Sequence, residues 1–181
     1  MRVVLVRHGE TDWNGNGRLM GRLDVLLNEN GRKQAEILRE KLANMRFDCC
    51  YSSPLSRAKE TAEIVCRNKC EVIYDDRLQE RYGGAFQGEI IDNWGDYYTD
   101  NTVETDAEIF GRAANFWQEI KKKGYGAVLI VSHNGLLKNL RHCILGRAGD
   151  VDYGSGNLAN CGFEVYDIEK EGYDKKEDFI D

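Results

Sequence analysis

Apolar and polar residues alternate along the chain in blocks that predict strands and helices in turn. Short β-branched runs predict buried strands at 2–7 and 127–131, and weaker runs predict strands at 49–53, 71–74 and 161–168. Apolar residues at intervals of three and four predict amphipathic helices between the strands. The residues that carry these stripes are Ala35, Leu38, Leu42 and Met45; Leu55, Ala58, Ala62 and Val65; Ala107, Phe110, Ala114, Trp117 and Ile120; and Leu136, Leu137, Leu140 and Ile144.

This alternation predicts an α/β fold, a three-layer αβα sandwich with a mainly parallel central sheet. We expect one domain over residues 1–181, with a small helical cap inserted at about 88–124. Asn28 is the expected N-cap of one helix, and Pro54 is expected in the first turn of the next. The charged tail at 169–181 is expected to fray.

The net charge argues against nucleic acid as a partner and limits how an anionic ligand could be bound. The 181 residues include 25 Lys and Arg against 31 Asp and Glu, a net charge of −6, which argues against a nonspecific nucleic-acid binder. An anionic ligand would therefore need a local cluster of cations. There are only 3 histidines, so the position of each is informative.

Cysteine spacing and the distribution of apolar runs indicate a cytoplasmic protein. The 6 cysteines lack the spacing of zinc ligands, so reduced thiols and no metal are expected. Charged residues directly follow Val6, so no signal peptide is expected, and the run at 127–131 is too short to cross a bilayer. We expect no membrane partner, no cofactor, and a monomer or homodimer.

Chemically capable residues follow the predicted strands. His8 and His133 come after the two strongest strands, and ligands of parallel sheets bind beyond such strand ends. Arg7 and Arg57 are forked anion donors, and Glu80 lies in an irregular, glycine-rich segment. Taken singly, each has an ordinary structural explanation, such as a surface ion pair worth under about 1 kcal/mol. Their combination indicates a site for an anion.

Four stretches resemble the motifs of the histidine phosphatase superfamily, in its phosphoglycerate-mutase-like branch. They occur in the expected order and reach from Arg2 to about Gly146, and a weaker Gly21, Asp24, Leu27, Gly31 pattern also fits. The stretches are Leu5-Val-Arg-His-Gly-Glu-Thr-x-Trp-Asn14, Ser52-Ser-Pro-Leu-Ser-Arg-Ala58 with Glu60-Thr-Ala62, Leu78-Gln-Glu-Arg-Tyr-Gly-Gly-Ala-Phe-Gln-Gly88, and Val131-Ser-His-Asn-Gly135.

The resemblance implies a metal-independent reaction through a phosphohistidine. His8 would be the nucleophile, and Glu80 would protonate the leaving oxygen and later activate water. In some relatives the acid is an aspartate directly after the second histidine, where this chain has Asn134. The residues implied in binding the phosphorylated metabolite are Arg7, Asn14, Gly21, Arg57, Arg81, His133 and Asn134.

Three activities are compatible with these motifs, and a phosphatase for small phosphate monoesters is favoured. A cofactor-dependent phosphoglycerate mutase is the main alternative. It is disfavoured because the segment from Glu80 to His133 is short for such a mutase and 89–108 contains no Lys or Arg. The Gly83-Gly84 pair also stands where mutases tend to have a tyrosine. An inactive phosphate-binding regulatory protein is the third alternative.

Aromatic residues of the predicted cap have two interpretations. They could form an aromatic wall for the substrate, or they could be the core of the cap itself. The residues concerned are Trp94, Tyr97, Tyr98, Phe110 and Trp117. Sugar phosphates and α-ribazole phosphate are both compatible substrates for a family member of this size. His142 is interpreted as non-catalytic.

Overall fold

The computed structural model describes residues 1–147, 151–169 and 172–179. Strands and helices alternate as the sequence pattern predicts, and the chain is an α/β protein. The elements are β1 Arg2–Arg7, α1 Asp12–Gly15, α2 Glu29–Lys41, β2 Cys49–Ser52, α3 Ser56–Cys66, β3 Val72–Tyr74, α4 Trp94–Thr99, α5 Asp106–Lys122, β4 Ala127–Ser132, α6 Asn134–Ile144, β5 Phe163–Glu169 and β6 Gly172–Phe179. Short 3-10 turns occur at Asp76–Leu78 and Gly84–Phe86.

The described strands form one sheet in the order β3-β2-β4-β1-β5-β6. The four strands β3, β2, β4 and β1 pair in parallel, and β5 and β6 extend the sheet antiparallel at one edge. In the register of β1 with β4, Arg7 pairs with Ser132. The next residues, His8 and His133, therefore leave neighbouring strands at the same level.

Helices cover both faces of the sheet and make the three layers. Alternate residues of β1 point to opposite faces, as strand geometry requires. Val3 and Leu5 belong to a core with α5 and α6, whereas Val4 and Val6 belong to a core with α2 and α3. The predicted αβα sandwich is confirmed.

The structure confirms one predicted helix boundary and corrects another boundary and the buried face of one helix. The Asn28 side chain accepts a hydrogen bond from the Gly31 N–H, so Asn28 is the N-cap of α2 as predicted. The placement of Pro54 in a first turn was wrong, because Leu55 is the N-cap of α3. The predicted stripe of α5 was right at Trp117 and Ile120 and wrong at Ala107, Phe110 and Ala114: the helix buries Ile109, Ala113, Phe116, Trp117 and Ile120. Apolar residues are dense enough in this helix to offer two overlapping stripes.

The sequence did not predict three elements, the short helices α1 and α4 and the charged strand β6. The segment 11–28, which has no apolar period, contains α1, and the cap contains α4, which is too short to show a period. The expectation of a frayed tail was wrong over 172–179, where β6 pairs antiparallel with β5. Most of α5 packs in the central core with α6, which leaves α4 and the turns around it above the sheet. No helix in the described part of the chain is long and apolar enough to cross a membrane.

Candidate active site

The two strand-end histidines lie side by side. The ring centroids of His8 and His133 are 5.1 Å apart, and both side chains are buried. The Nδ1 of His8 lies 2.7 Å from the carbonyl oxygen of its neighbour Gly9. A carbonyl only accepts, so Nδ1 carries the proton and Nε2 keeps a free lone pair. Burial, reinforced by Arg57 and Arg7, holds the pKa of His8 well below 6.5, so the ring is neutral.

His133 is oriented by a serine at the end of β2. Its Nε2 lies 2.8 Å from the Oγ of Ser53, which is fully buried. Its Nδ1 is buried and has no hydrogen-bond partner among the described residues. Burial, with Arg57 next, lowers the pKa of His133 well below 6.5. The second histidine is therefore also neutral, with one ring nitrogen available to a ligand.

Arg7 and Arg57 supply buried positive charge. Arg57 is 1% exposed, and its Nη1 and Nη2 donate to the carbonyls of Leu23 and Gly21 at 2.9 and 2.7 Å. Arg7 donates from Nη1 to the Leu158 carbonyl at 2.6 Å. The Nε of each arginine is buried and lacks an acceptor among the described residues. Burial lowers the pKa of Arg57 to about 10, which still leaves it charged at neutral pH.

Glu80 lies at the N-terminus of α6. Its Oε2 accepts from the N–H of Gly135 at 3.2 Å and its Oε1 from that of Leu136 at 3.2 Å. Oε1 also accepts from the N–H of Arg81 at 2.9 Å. The close approach depends on glycine, because a Cβ on Gly135 would lie 2.5 Å from Oε1. The carboxyl group is half-buried and accepts from these three backbone N–H groups.

Two arginines fix the backbone that carries Glu80. Arg22 and Arg112 both donate to the Glu80 carbonyl oxygen, at 3.0 and 3.1 Å. Both also form ion pairs with Glu104, which is half-buried. The Oγ of Ser132 donates to the Leu78 carbonyl at 2.7 Å and ties the same segment to β4. Glu80 is thus held from α5, the loop after α1, and the sheet.

The N-terminus of α3 does not face a ligand directly. A helix N-terminus is a favourable place for an anion. In the structure Asp24 occupies it, accepting from the N–H and Oγ of Ser56 at 2.7 Å each. Arg57, in the first turn, is therefore the contribution of α3 to the site.

A cavity of about 350 Å³, within the usual size of ligand sites, is lined by Arg7, His8, Arg57 and Glu80, whereas His133 is not among its lining residues in the described chain. Of the residues proposed to bind substrate, Gly21, Arg81 and Asn134 line it beside Arg7 and Arg57. The described residues that line it are Arg7, His8, Gly17, Arg18, Leu19, Met20, Gly21, Arg57, Glu80, Arg81, Ile91, Trp94, Tyr97, Tyr98, Asn134, Gly135, Lys138, Tyr153 and Asn157.

Asn14 and Arg81 have structural partners as well. The Asn14 Oδ1 accepts from the N–H of Thr11 at 3.0 Å, which closes the capping box of α1, and Asn14 is not among the lining residues of the described chain. Arg81 pairs with Asp106, and its guanidinium lies 4.4 Å from the ring centroid of Tyr153. The substrate-binding roles of Asn14 and Arg81 stay predictions.

The aromatic residues of the cap divide between the two interpretations. Trp94, Tyr97 and Tyr98 line the cavity, whereas Trp117 belongs to the central core. Phe110 is half-buried and is not among the lining residues of the described chain.

Sequence reasoning assigned no role to Ser53 beside the site or to Lys138, Tyr153 and Asn157 of the cavity. Ser53, which orients His133, lies inside a quoted motif without a role assigned to it. Lys138 follows Gly135 by three positions, which is the spacing of one helix face, and this signal was available. Tyr153 and Asn157 follow no strand and no motif, so no signal in a single sequence marks them.

The described residues contain no cluster of His, Cys, Asp and Glu that could hold a metal ion. The six cysteines all fall within the described part of the chain and are unpaired. Burial is the main cause of the raised pKa of the Cys161 thiol, at about 12, so this thiol is protonated at neutral pH.

Comparison with known proteins shows the family of this chain. The family model described as "Histidine phosphatase superfamily (branch 1)" matches residues 3–177. The chain belongs to the histidine phosphatase superfamily. The resemblance seen in the motifs is thereby confirmed.

Superfamily members similar to this chain include named phosphatases. Phosphoserine phosphatase 1 of Hydrogenobacter thermophilus is 32% identical over 162 residues, which cover 81% of this chain and 77% of that protein. The 2-carboxy-D-arabinitol-1-phosphatase of Triticum aestivum is 34% identical over 184 residues and covers 92% of this chain. This chain spans only 37% of the length of the wheat protein.

Solved structures of the superfamily share the fold over nearly the whole length. YhfR of Bacillus stearothermophilus has a TM-score of 0.86 at 27% identity, with 96% of this chain and 94% of that chain covered.

Proposed function

We propose that this chain, acting as one domain over 1–181, is a metal-independent phosphatase that hydrolyses small phosphate monoesters through a phosphohistidine at His8. The carrying observation is the hydrogen bond from Nδ1 of His8 to the Gly9 carbonyl, which leaves a neutral ring with its Nε2 lone pair free. Phosphatases among the relatives support the same activity.

In the first step the Nε2 of His8 attacks phosphorus, and the bond from phosphorus to the ester oxygen breaks. The leaving oxygen takes a proton from the carboxyl group of Glu80. Arg7 and Arg57 neutralise charge on the phosphoryl oxygens, and the buried Nε–H of each is a donor for them. For His133 to donate from Nδ1, its Nε2 must accept from the Ser53 hydroxyl, which the 2.8 Å contact allows.

In the second step water attacks the phosphohistidine and the bond from nitrogen to phosphorus breaks. Glu80, now ionised, accepts the proton of the water, and His8 regains its neutral form. Phosphoryl transfer needs positioning and charge neutralisation more than covalent help, so the cations present suffice. Asn14 is proposed as a further donor to the phosphate, and the cytoplasm is the proposed location because reduced thiols suit it.

The part of the cavity wall that the cap contributes favours hydrolysis over the mutase alternative. A mutase needs cations that retain a bisphosphate. The described cap segment above the sheet contributes Ile91, Trp94, Tyr97 and Tyr98 to the cavity, and none of these carries a charge.

Release of inorganic phosphate in the presence of EDTA tests this proposal. We expect turnover of several phosphomonoesters that survives chelation and is reduced by more than about 10³-fold in His8→Ala, since the nucleophile is lost. His142→Ala is the matched control, because His142 lies on α6 outside the cavity, and it should keep wild-type turnover.

Two outcomes would contradict the proposal. Interconversion of phosphoglycerates that depends on a bisphosphate primer would establish the mutase instead. Phosphate binding with no turnover of any ester would establish an inactive binding protein.

A further inference from the structure

One lysine of the cavity has no part in the proposed reaction. Lys138 lies on α6 and is only 3% exposed, although lysine is among the residues least often buried. Burial is the largest influence on its pKa, which is lowered, while Asp152 and Glu80 act in the opposite direction.

The ammonium group of Lys138 is incompletely paired. Its Nζ donates to the carbonyl oxygen of Tyr153 at 2.6 Å, and an ammonium has three N–H donors. No carboxylate among the described residues forms an ion pair with it. Arg7 and Arg57, which the proposed reaction uses, likewise form no ion pair among the described residues, whereas Arg81 of the same cavity pairs with Asp106. A buried charge costs several kcal/mol unless it is paired, so an anionic partner is expected for Lys138.

The position of Lys138 on α6 gives the direction in which this anion would lie. Gly135, whose N–H binds Glu80, is three residues earlier on the same helix. A helix rises about 1.5 Å per residue, so Lys138 is about 4.5 Å farther along the same face. An ester whose leaving oxygen meets Glu80 would therefore extend its organic part along α6 towards Lys138.

The charge of the subsite selects one kind of anion. One ammonium offsets one negative charge, which matches a carboxylate. A second phosphate carries nearly two charges at neutral pH and would need further cations. Arg81 is already balanced by Asp106, and Arg18, which also lines the cavity, is exposed to water and donates to the Gly88 carbonyl.

We propose that Lys138 binds a carboxylate on the organic part of the ester, so that the preferred substrates are phosphorylated hydroxy acids. This rests on the proposed phosphatase function and adds a determinant of specificity to it. The lysine does not take part in bond breaking, and its contribution is to bind and orient the ester.

A pair of esters that differ in the carboxylate tests the proposal. We would measure kcat and KM for 3-phosphoglycerate, for glycerol 3-phosphate and for nitrophenyl phosphate, with wild type, Lys138→Met and Lys138→Arg. Methionine keeps the length of the side chain and removes its charge, whereas arginine keeps the charge.

Wild type should prefer 3-phosphoglycerate over glycerol 3-phosphate. Lys138→Met should raise KM for 3-phosphoglycerate by roughly tenfold, the loss of one charge-assisted contact, and change glycerol 3-phosphate by less than about twofold. Lys138→Arg should retain part of the preference.

Other results would overturn the subsite. If Lys138→Met slowed all three esters equally, Lys138 would serve only to hold the Tyr153 segment. If wild type hydrolysed nitrophenyl phosphate but did not prefer the carboxylated ester, the subsite would fail while the phosphatase function stood. No hydrolysis of any ester would overturn both.

Discussion

At the scale of single residues, the positions of the larger side chains in the site depend on neighbouring glycines. Gly135 has no Cβ, and so the Glu80 carboxyl group reaches the first N–H groups of α6. Gly9, the neighbour of His8, is similar, because a Cβ there would lie 2.6 Å from the Gly31 carbonyl oxygen. The sequence alone identified His8, Glu80 and the two arginines, because their residue types occur in motifs that follow one another in the expected order. It did not mark Ser53, since a serine in a motif reveals nothing about which ring nitrogen it will meet.

Gly135→Ala should impair catalysis without unfolding the protein. The added methyl group displaces Glu80, and a misplacement of about 1 Å costs on the order of 10²-fold in kcat. Poor leaving groups need the proton most, so we expect a larger loss for alkyl than for nitrophenyl phosphates. Steady-state kinetics with both esters would measure this.

Gly111→Ala provides the matched control for that substitution. Gly111 lies in α5, and a Cβ there would meet nothing within 4 Å. Its kinetics should equal those of wild type. Equal losses for both esters in Gly135→Ala would contradict the role of Glu80 as the acid.

At the scale of elements, the weak Gly21 to Gly31 pattern joins α2 and α3 to the site. Gly21, with φ +52, turns its carbonyl to Arg57, and Asp24 caps α3. The strong strands and long amphipathic helices were predictable, because their periods are read from the sequence itself. The short α4 and the charged edge strand β6 were not, because α4 is shorter than two turns and β6 pairs through its backbone.

Asp24→Ala should lower the free energy of unfolding by about 1 kcal/mol, since the side chain that accepts from the Ser56 N–H at the start of α3 is lost. Urea unfolding of this variant and of wild type would measure the difference. Asp24→Asn is the control, because it keeps an oxygen for the Ser56 N–H and should lose less. Equal stability of Asp24→Ala and wild type would show that the cap contributes nothing.

At the scale of the whole molecule, the net charge of −6 contrasts with the cations that line the cavity. Five cations of the described chain line one cavity of this acidic protein: Arg7, Arg18, Arg57, Arg81 and Lys138. The parallel sheet creates this concentration, because β1 and β4 end at the same level and bring distant parts of the sequence together. Composition predicted that a local cluster was needed, and topology determined where it formed.

Trapping of the phosphorylated enzyme tests the central claim most directly. Wild type mixed with a radiolabelled phosphomonoester and stopped in alkali, where phosphohistidine survives, should carry label on the peptide that contains His8. The label should be released by acid and should be absent in His8→Gln. Label on the peptide of His133 or His142, acid-stable label, or turnover without any labelled enzyme would contradict the account.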